Sequence, residues 1–226
     1  MKSPSDYSVD LQDHFAMQIG VAPPRRCMWL VPNEHLSNMF CVFFRDRKKV
    51  GICLKSAAHF RSIPTFYGIS IAAELVSMGY DCFLIGSPEQ RYLFKKDGQY
   101  CAAPDGMKDM CGVIEDTEQL ISFLDCMDYV LTTDTSTLHI AGALGKKTLG
   151  LFGMTDGGVR CSYYPTVDYL QSEFTCSPCN LVKEEVPCIV NKTYTEIYSD
   201  FPKYCNALCS FEIKDVIKRL IRNGNT

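Results

Sequence analysis

From residue 50 onward, short apolar runs alternate with longer amphipathic segments, each closed by glycine or a polar turn. VGICL (50–54), YDCFLIG (80–86), YVLTT (129–133) and KTLGLFG (147–153) are apolar and β-branched enough to be read as buried strands. Helical segments separate them. One covers residues 65–78 and stops at Gly79; SPEQRYLFKK (87–96) is opened by Ser87 with Pro88 at its first position. A third, EQLISFLDCM, is capped by Thr117 and repeats Leu120, Phe123, Leu124 and Met127 at three and four residues; LHIAGAL then stops at Gly145. Residues 98–112, with three glycines and Pro104, read as a loop with a short strand around CGVI. Strands alternating with helices of this length predict an α/β fold, a Rossmann-like parallel sheet with crossover helices. EIKDVIKRLI, with Ile213, Val216, Ile217 and Leu220 on one face, predicts a last helix packed back on that sheet.

The pattern divides the chain into an N-terminal arm with a short partial element (1–49) and one Rossmann-like domain (50–226) that includes a cysteine-rich segment (176–209). Before residue 27 the sequence is polar and ends in the connector GVAPPRR. CMWLVP and MFCVFF are read as two strands, or as the edge of a domain whose other part is missing; RDRKK after them is a solvated turn. MTDGGVRCSYYPTVDYL is turn-rich and breaks the alternation.

Composition narrows the function classes. The 226 residues are 46% hydrophobic, ample for a core, and 23 basic against 26 acidic residues give a net charge of -3, without the basic field that nucleic acid requires. No apolar run approaches the roughly 20 residues of a membrane span, and MKSPSDYSVDLQDHF is too polar for a signal peptide, so a cytoplasmic, reducing location is expected. Of 13 cysteines, Cys27, Cys41, Cys53, Cys82, Cys101, Cys111, Cys126 and Cys161 are scattered and are read as small buried apolar residues.

Ligands of an open parallel sheet bind beyond the C-terminal ends of its strands. GSPEQ, TTDTSTLH and GMTDGG arrive there. TTDTSTLH places Asp134, Thr135, Ser136 and Thr137 where a helix begins, which favours a phosphate; the plainer alternative is that Asp134 or Ser136 caps its own helix. His139 lies within the next turn, as a base or as a structural hydrogen-bonding residue. The glycines of GMTDGG either admit a ligand to the backbone or only reverse the chain. No Walker A sequence, GxGxxG, HExxH, GxSxG or Asp-x-Asp pair is present.

Residues 127–155, MDYVLTTDTSTLHIAGALGKKTLGLFGMT, resemble the donor-binding signature of the bacterial lipopolysaccharide heptosyltransferases, glycosyltransferase family 9. Asp134, Thr135, His139, Ile140 and Ala141 fall on its Asp-(Thr/Ser)-Gly-x-x-His-(Leu/Ile)-Ala segment, and Phe152, Gly153 and Thr155 on its Phe-Gly-x-Thr; Ser136 replaces the family's glycine. Upstream, Arg61 and Pro64 align with its Lys/Arg-x-Trp-Pro loop, Ile63 stands for the tryptophan, and Glu89 matches an acidic position loosely. The resemblance covers roughly residues 50–160 and implies the C-terminal, donor-binding half of a GT-B glycosyltransferase. It implies that Arg61, Glu89, Asp134, Thr135, Ser136, Thr137, His139, Gly153 and Thr155 frame a nucleotide-diphosphate sugar such as ADP-heptose, without a catalytic divalent metal. Transfer to a saccharide or protein acceptor would then need an acceptor region, possessed by the family's other domain and supplied here by a partner chain; the alternative is a non-catalytic nucleotide-sugar-binding subunit. Asp10, Asp13 and Glu34 are the upstream carboxylates, in settings that read as ordinary surface.

The remaining cysteines form Cys176-x2-Cys179, Cys188 and Cys205-x3-Cys209. Two close pairs separated by a loop are a common way to enclose a tetrahedral structural zinc or iron, with Cys188 as an alternative ligand; disulfides and buried thiols compete. Family members that modify autotransporter proteins hold iron with four cysteines, which the resemblance adds to the metal reading.

Overall fold

A computed structural model describes residues 11–22, 29–42, 44, 46–56, 59–90, 94–96, 99–101, 103–179 and 205–222. Among the described residues eight strands run in chain order as β1 (Lys49–Cys53), β2 (Asp81–Leu84), β3 (Phe94–Lys96), β4 (Gln99–Cys101), β5 (Met107–Asp109), β6 (Tyr129–Thr133), β7 (Lys147–Phe152) and β8 (Val167–Gln171). Six of them form one sheet in the order β5-β2-β1-β6-β7-β8, with every neighbouring pair parallel. The Rossmann-like expectation therefore holds, and β3 and β4 form a separate antiparallel pair.

Helices α1 (Leu11–Gln18), α2 (Glu34–Val42), α3 (Thr65–Ser77), α4 (Thr117–Asp125), α5 (Ser136–Ala143), α6 (Gly157–Cys161) and α7 (Ile213–Arg222) surround it. Side chains alternate across the strands. Val50, Ile52, Leu131 and Leu149 join Ile71 and Leu75 of α3 and Val216 and Leu220 of α7 on one face. Cys53, Phe83 and Val130 join Phe123 and Leu124 of α4 and Ile140 of α5 on the other. Both faces are covered, so the strands read as continuous apolar runs.

Several elements depart from the sequence expectations. The described residues of SPEQRYLFKK do not form the expected helix: Pro88–Gln90 makes a 3-10 turn, and Phe94–Lys96 is β3. Gln90 Oε1 accepts from Ser87 N (3.1 Å), which closes this turn, and its Nε2 donates to Ser56 O (3.1 Å), which ties the turn to the loop after β1. The short strand expected at CGVI forms earlier instead, as edge strand β5, which begins four residues before Cys111. Helix α4 is capped by Asp116, whose Oδ1 accepts from Gln119 N at 2.8 Å, and Thr117 is its first residue. The turn-rich stretch after Gly153 contains α6 and edge strand β8.

MFCVFF is not a strand; its first residues end α2. Asn33 Oδ1 accepts from the backbone of His35 and Leu36 at the start of this helix, while Asn33 Nδ2 donates to Glu118 of α4 at 2.9 Å. Phe40 meets Phe123 edge-on, with centroids 5.4 Å apart. Cys41 and Cys126, read as separate apolar residues, are joined in a disulfide between α2 and the C-terminal end of α4. On α1, Asp13 is buried and accepts from the hydroxyl of Tyr163, whereas Glu34 is exposed and Asp10 lies outside the described residues. No helix among the described residues is long and apolar enough to cross a membrane.

Candidate functional site

The chain leaves β1 toward β2 and β5, then returns to the opposite side of β1 with β6. The strand order thus reverses between β1 and β6, and ligands of open α/β sheets lodge in the crevice at such a point. Arg61, in a 3-10 turn on the loop after β1, and Asp134, immediately after β6, face one another there.

Asp134 is the hub. Its side chain is 7% exposed; Oδ2 accepts from the hydroxyl of Thr155 at 3.0 Å, and Arg61 Nη1 stands 3.7 Å away. Arg61 Nη1 also donates to Asp134 O at 3.3 Å. From α6, Arg160 Nε reaches the same Oδ2 at 3.8 Å. A buried carboxylate requires pairing, and it is paired here by one hydroxyl and two guanidinium groups. Asp156, beside Thr155, is committed to its own helix, accepting from Val159 N at 3.1 Å.

Helix α5 begins at the same place. Its N-cap is Thr135, but no side chain closes the first turn, because Thr135 Oγ1 pairs instead with Thr132 Oγ1 at 3.0 Å. The plainer expectation, that Asp134 or Ser136 caps this helix, is not what is found. Ser136 is exposed, so the positive end of α5 opens outward beside Arg61. Beneath it, Cys53 at the end of β1 lies among the hydroxyls of Thr137, Thr135 and Thr132; burial raises its thiol pKa and those hydroxyls oppose the rise. Burial, reinforced by the carboxylates of Asp134, Asp168 and Asp156, likewise lifts Cys161 to about 12.

Arg61, Asp134, Thr135, Ser136 and Thr155 are therefore assembled at one crevice. Thr137 is 2% exposed and turned toward Cys53. His139 Nδ1 pairs with the hydroxyl of Tyr164 at 3.0 Å, on the side of α5 where Tyr164 fills the space left by Gly142. Glu89 sits exposed in the turn after β2, where the Ser87 hydroxyl lowers its carboxyl pKa. Gly153 faces the 205–209 segment; a Cβ there would lie 3.0 Å from Leu208 and 3.2 Å from Cys205 Sγ. Arg160 escaped the sequence reading because MTDGGVRCSYY looks like a turn. The usable signal was Asp156, an N-cap residue that starts a short helix and aims position 160 back at the crevice.

The structural metal site expected from Cys176, Cys179, Cys205 and Cys209 is not formed. Among the described residues no three His, Cys, Asp or Glu side chains converge as metal ligands. Cys205 instead packs into the apolar core with Ala207 and Leu208, and burial, with a smaller contribution from Cys205, lifts the Cys209 thiol to about 12. Cys179 is buried and Cys176 half-buried; Cys188 lies outside the described residues. Packing accounts for Cys205: with Ala207 and Leu208 it sets the 205–209 turn against Gly153, at the end of β7.

Comparison with known proteins places this architecture. No curated protein sequence matches the chain significantly. Among solved structures, the Escherichia coli ADP-heptose lipopolysaccharide heptosyltransferase II superposes with a TM-score of 0.63 at 14% identity, covering 88% of this chain and 54% of that one. A family 9 glycosyltransferase from Veillonella parvula gives 0.57 at 13% identity, over 92% and 57%. The iron-containing dodecameric glycosyltransferase TibC of enterotoxigenic E. coli gives 0.54 at 14%, over 80% and 47%. The chain thus spans about half the length of the structures it matches, and at such identities they establish the fold, a Rossmann-like half of GT-B type. The sequence profile of glycosyltransferase family 9 (heptosyltransferase) matches residues 23–189, which holds every described strand and the whole crevice, and the chain belongs to that family.

Proposed function

We propose that the crevice binds a nucleotide-diphosphate sugar, of ADP-heptose type, as the donor half of a glycosyltransferase. The observation that carries this reading is the meeting of Arg61, Asp134 and the uncapped start of α5 at the β1/β6 reversal. Arg61 and the first N–H groups of α5 supply donors for a diphosphate. During transfer the glycosyl carbon–oxygen bond to the diphosphate breaks and negative charge grows on the leaving oxygen. Preorganised donors stabilise that charge more than they stabilise the intact donor.

Asp134 fixes Arg61 and, with Thr155, ties the loops after β6 and β7 into one rigid wall. Glu89 and His139 stand outside this first contact set; His139 acts through Tyr164 on the placement of α5. The acceptor and the group that deprotonates it belong to a partner chain or a further domain. Adenine nucleotides are the first choice because the superposed E. coli heptosyltransferase II bears ADP-heptose in its name.

Titration calorimetry of the full chain with ADP, UDP, GDP and their sugar conjugates tests the reading, with Asp134→Ala as the paired control. Saturable binding of an adenine diphosphate, lost in the variant, is expected. Absence of binding by every nucleotide would refute it.

A further inference from the structure

Arg160 has no role in the family resemblance, yet it reaches Asp134 from a third element. Its guanidinium carries five N–H donors. Among the described residues the side chain has one polar partner, Asp134 Oδ2, at 3.8 Å, which is an ion pair without a hydrogen bond. The side chain is 37% exposed and Arg61 34%, so both are held against the domain and neither is fully surrounded by water. Among the described residues the Arg160 guanidinium donors meet no hydrogen-bond acceptor, which leaves them available to a ligand.

The two cations share one oxygen. Contacts of 3.7 and 3.8 Å to the same Oδ2 mean that Arg61 Nη1 and Arg160 Nε are at most 7.5 Å apart. One carboxylate offsets only one of the two charges, and its Oδ2 also accepts from Thr155. An anion arriving between the guanidinium groups neutralises the remainder, and an anion with two phosphates is long enough to engage both. A diphosphate brings more charge and more acceptor oxygens than a single phosphate, so it engages more of the donors of the two guanidinium groups.

We infer that Arg160 is the second jaw of an anion clamp, opposite Arg61, and that it gives the site its preference for nucleoside diphosphates over monophosphates. The inference rests on the donor-site reading above and assigns Arg160 to the diphosphate, with Asp134 as the counter-ion that presents both arginines. Arg160 is a specificity residue in this account, and its fork is the relevant chemistry.

The test is titration calorimetry of the full chain with ADP, AMP and inorganic pyrophosphate, for wild type, Arg160→Ala, Arg160→Lys and Arg61→Ala, with a melting curve for each. Removing Arg160 should weaken ADP and pyrophosphate by about tenfold or more, and AMP by less than about threefold. Arg160→Lys should recover part of the loss, since an ammonium restores charge without the fork. Unchanged ADP and pyrophosphate affinity in Arg160→Ala, or equal losses for AMP and ADP, would overturn the inference while leaving the donor site intact. Arg160-dependent binding of pyrophosphate with no gain from the nucleoside would keep the clamp and sink the nucleotide-sugar reading. Wild type binding neither ADP nor pyrophosphate would overturn the clamp. Should Arg160→Ala melt lower than wild type, the ratio of ADP to AMP affinity in Arg160→Lys carries the comparison.

Discussion

Arg61 and Asp134 are 73 residues apart in the chain, yet Arg61 Nη1 donates to Asp134 O at 3.3 Å and stands 3.7 Å from its Oδ2. The pair bridges the crevice between β1 and β6, so it contributes to the domain as well as to the proposed site. Asp134→Ala leaves two guanidinium groups without their counter-ion and Thr155 without its acceptor. A loss of about 1–3 kcal/mol is expected, a fall in melting temperature of several degrees. Arg61→Ala should cost less, because Arg61 is one-third exposed and screened by water. Thermal melts of the two variants decide the order.

Gly142 makes a second prediction, in which two effects oppose. Alanine in the middle of α5 gains about 1 kcal/mol in helix propensity. The added Cβ, however, would lie 2.5 Å from Tyr164 Cγ and 2.9 Å from its Cβ, neither of them a flexible tip. Overpacking of this kind costs about 1–3 kcal/mol, so Gly142→Ala should be net destabilising. It should also displace Tyr164 from His139, visible as a shift of the His139 imidazole resonances. A variant as stable as wild type with those resonances unmoved would contradict the packing described.

The strands and helices that were legible in sequence are those whose burial is complete. β1, β2, β6 and β7 are covered on both faces and read as apolar runs, and α3 and α4 present clear stripes to them. β8 and β5 are edge strands with partly exposed residues, so their pattern is weak. Asp134 was visible because it flanks a strand end, where the fold class alone directs attention, whereas Arg61, eight residues beyond β1, was visible only through the family resemblance. Arg160 was hidden by its glycine-rich setting, in which Gly157 and Gly158 make room for Tyr169. The cysteine spacing suggested a metal because spacing carries no information on burial; Cys205 serves the core.

Buried thiols give the protein an alkaline limit. Burial lifts Cys82 and Cys161 from an ordinary 9.0 to about 12. Below pH 9 the thiols are protonated in folded and unfolded chains alike, and their contribution is fully present. Between pH 9 and 12 the unfolded chain loses these protons while the folded one keeps them, so stability falls as pH rises, by about 1.4 kcal/mol per pH unit for each thiol. Urea midpoints at pH 8, 9.5 and 10.5 should decline progressively, and Cys161→Ala should flatten that slope whatever its midpoint at pH 8. An unchanged slope in the variant would remove Cys161 from the titration.

Tyr67 of α3 donates its hydroxyl to the backbone oxygen of Phe211, 144 residues later, just before α7. The ring is 8% exposed, and burial, then the nearby Glu212 carboxylate and Cys209, raise the pKa of its phenol, which keeps it a donor. The bond fastens the start of α7 to α3, while at its far end Arg219 Nη2 holds Asp168 of β8 at 2.9 Å. Tyr67→Phe preserves the ring and removes only the donor, leaving the Phe211 carbonyl without it. A cost of about 1 kcal/mol follows, and since the bond is local to one helix, amide exchange in α7 should quicken about fivefold while that of β6 and β7 changes only with global stability. Equal exchange in α7 for variant and wild type would mean that Val216, Ile217 and Leu220 dock the helix unaided.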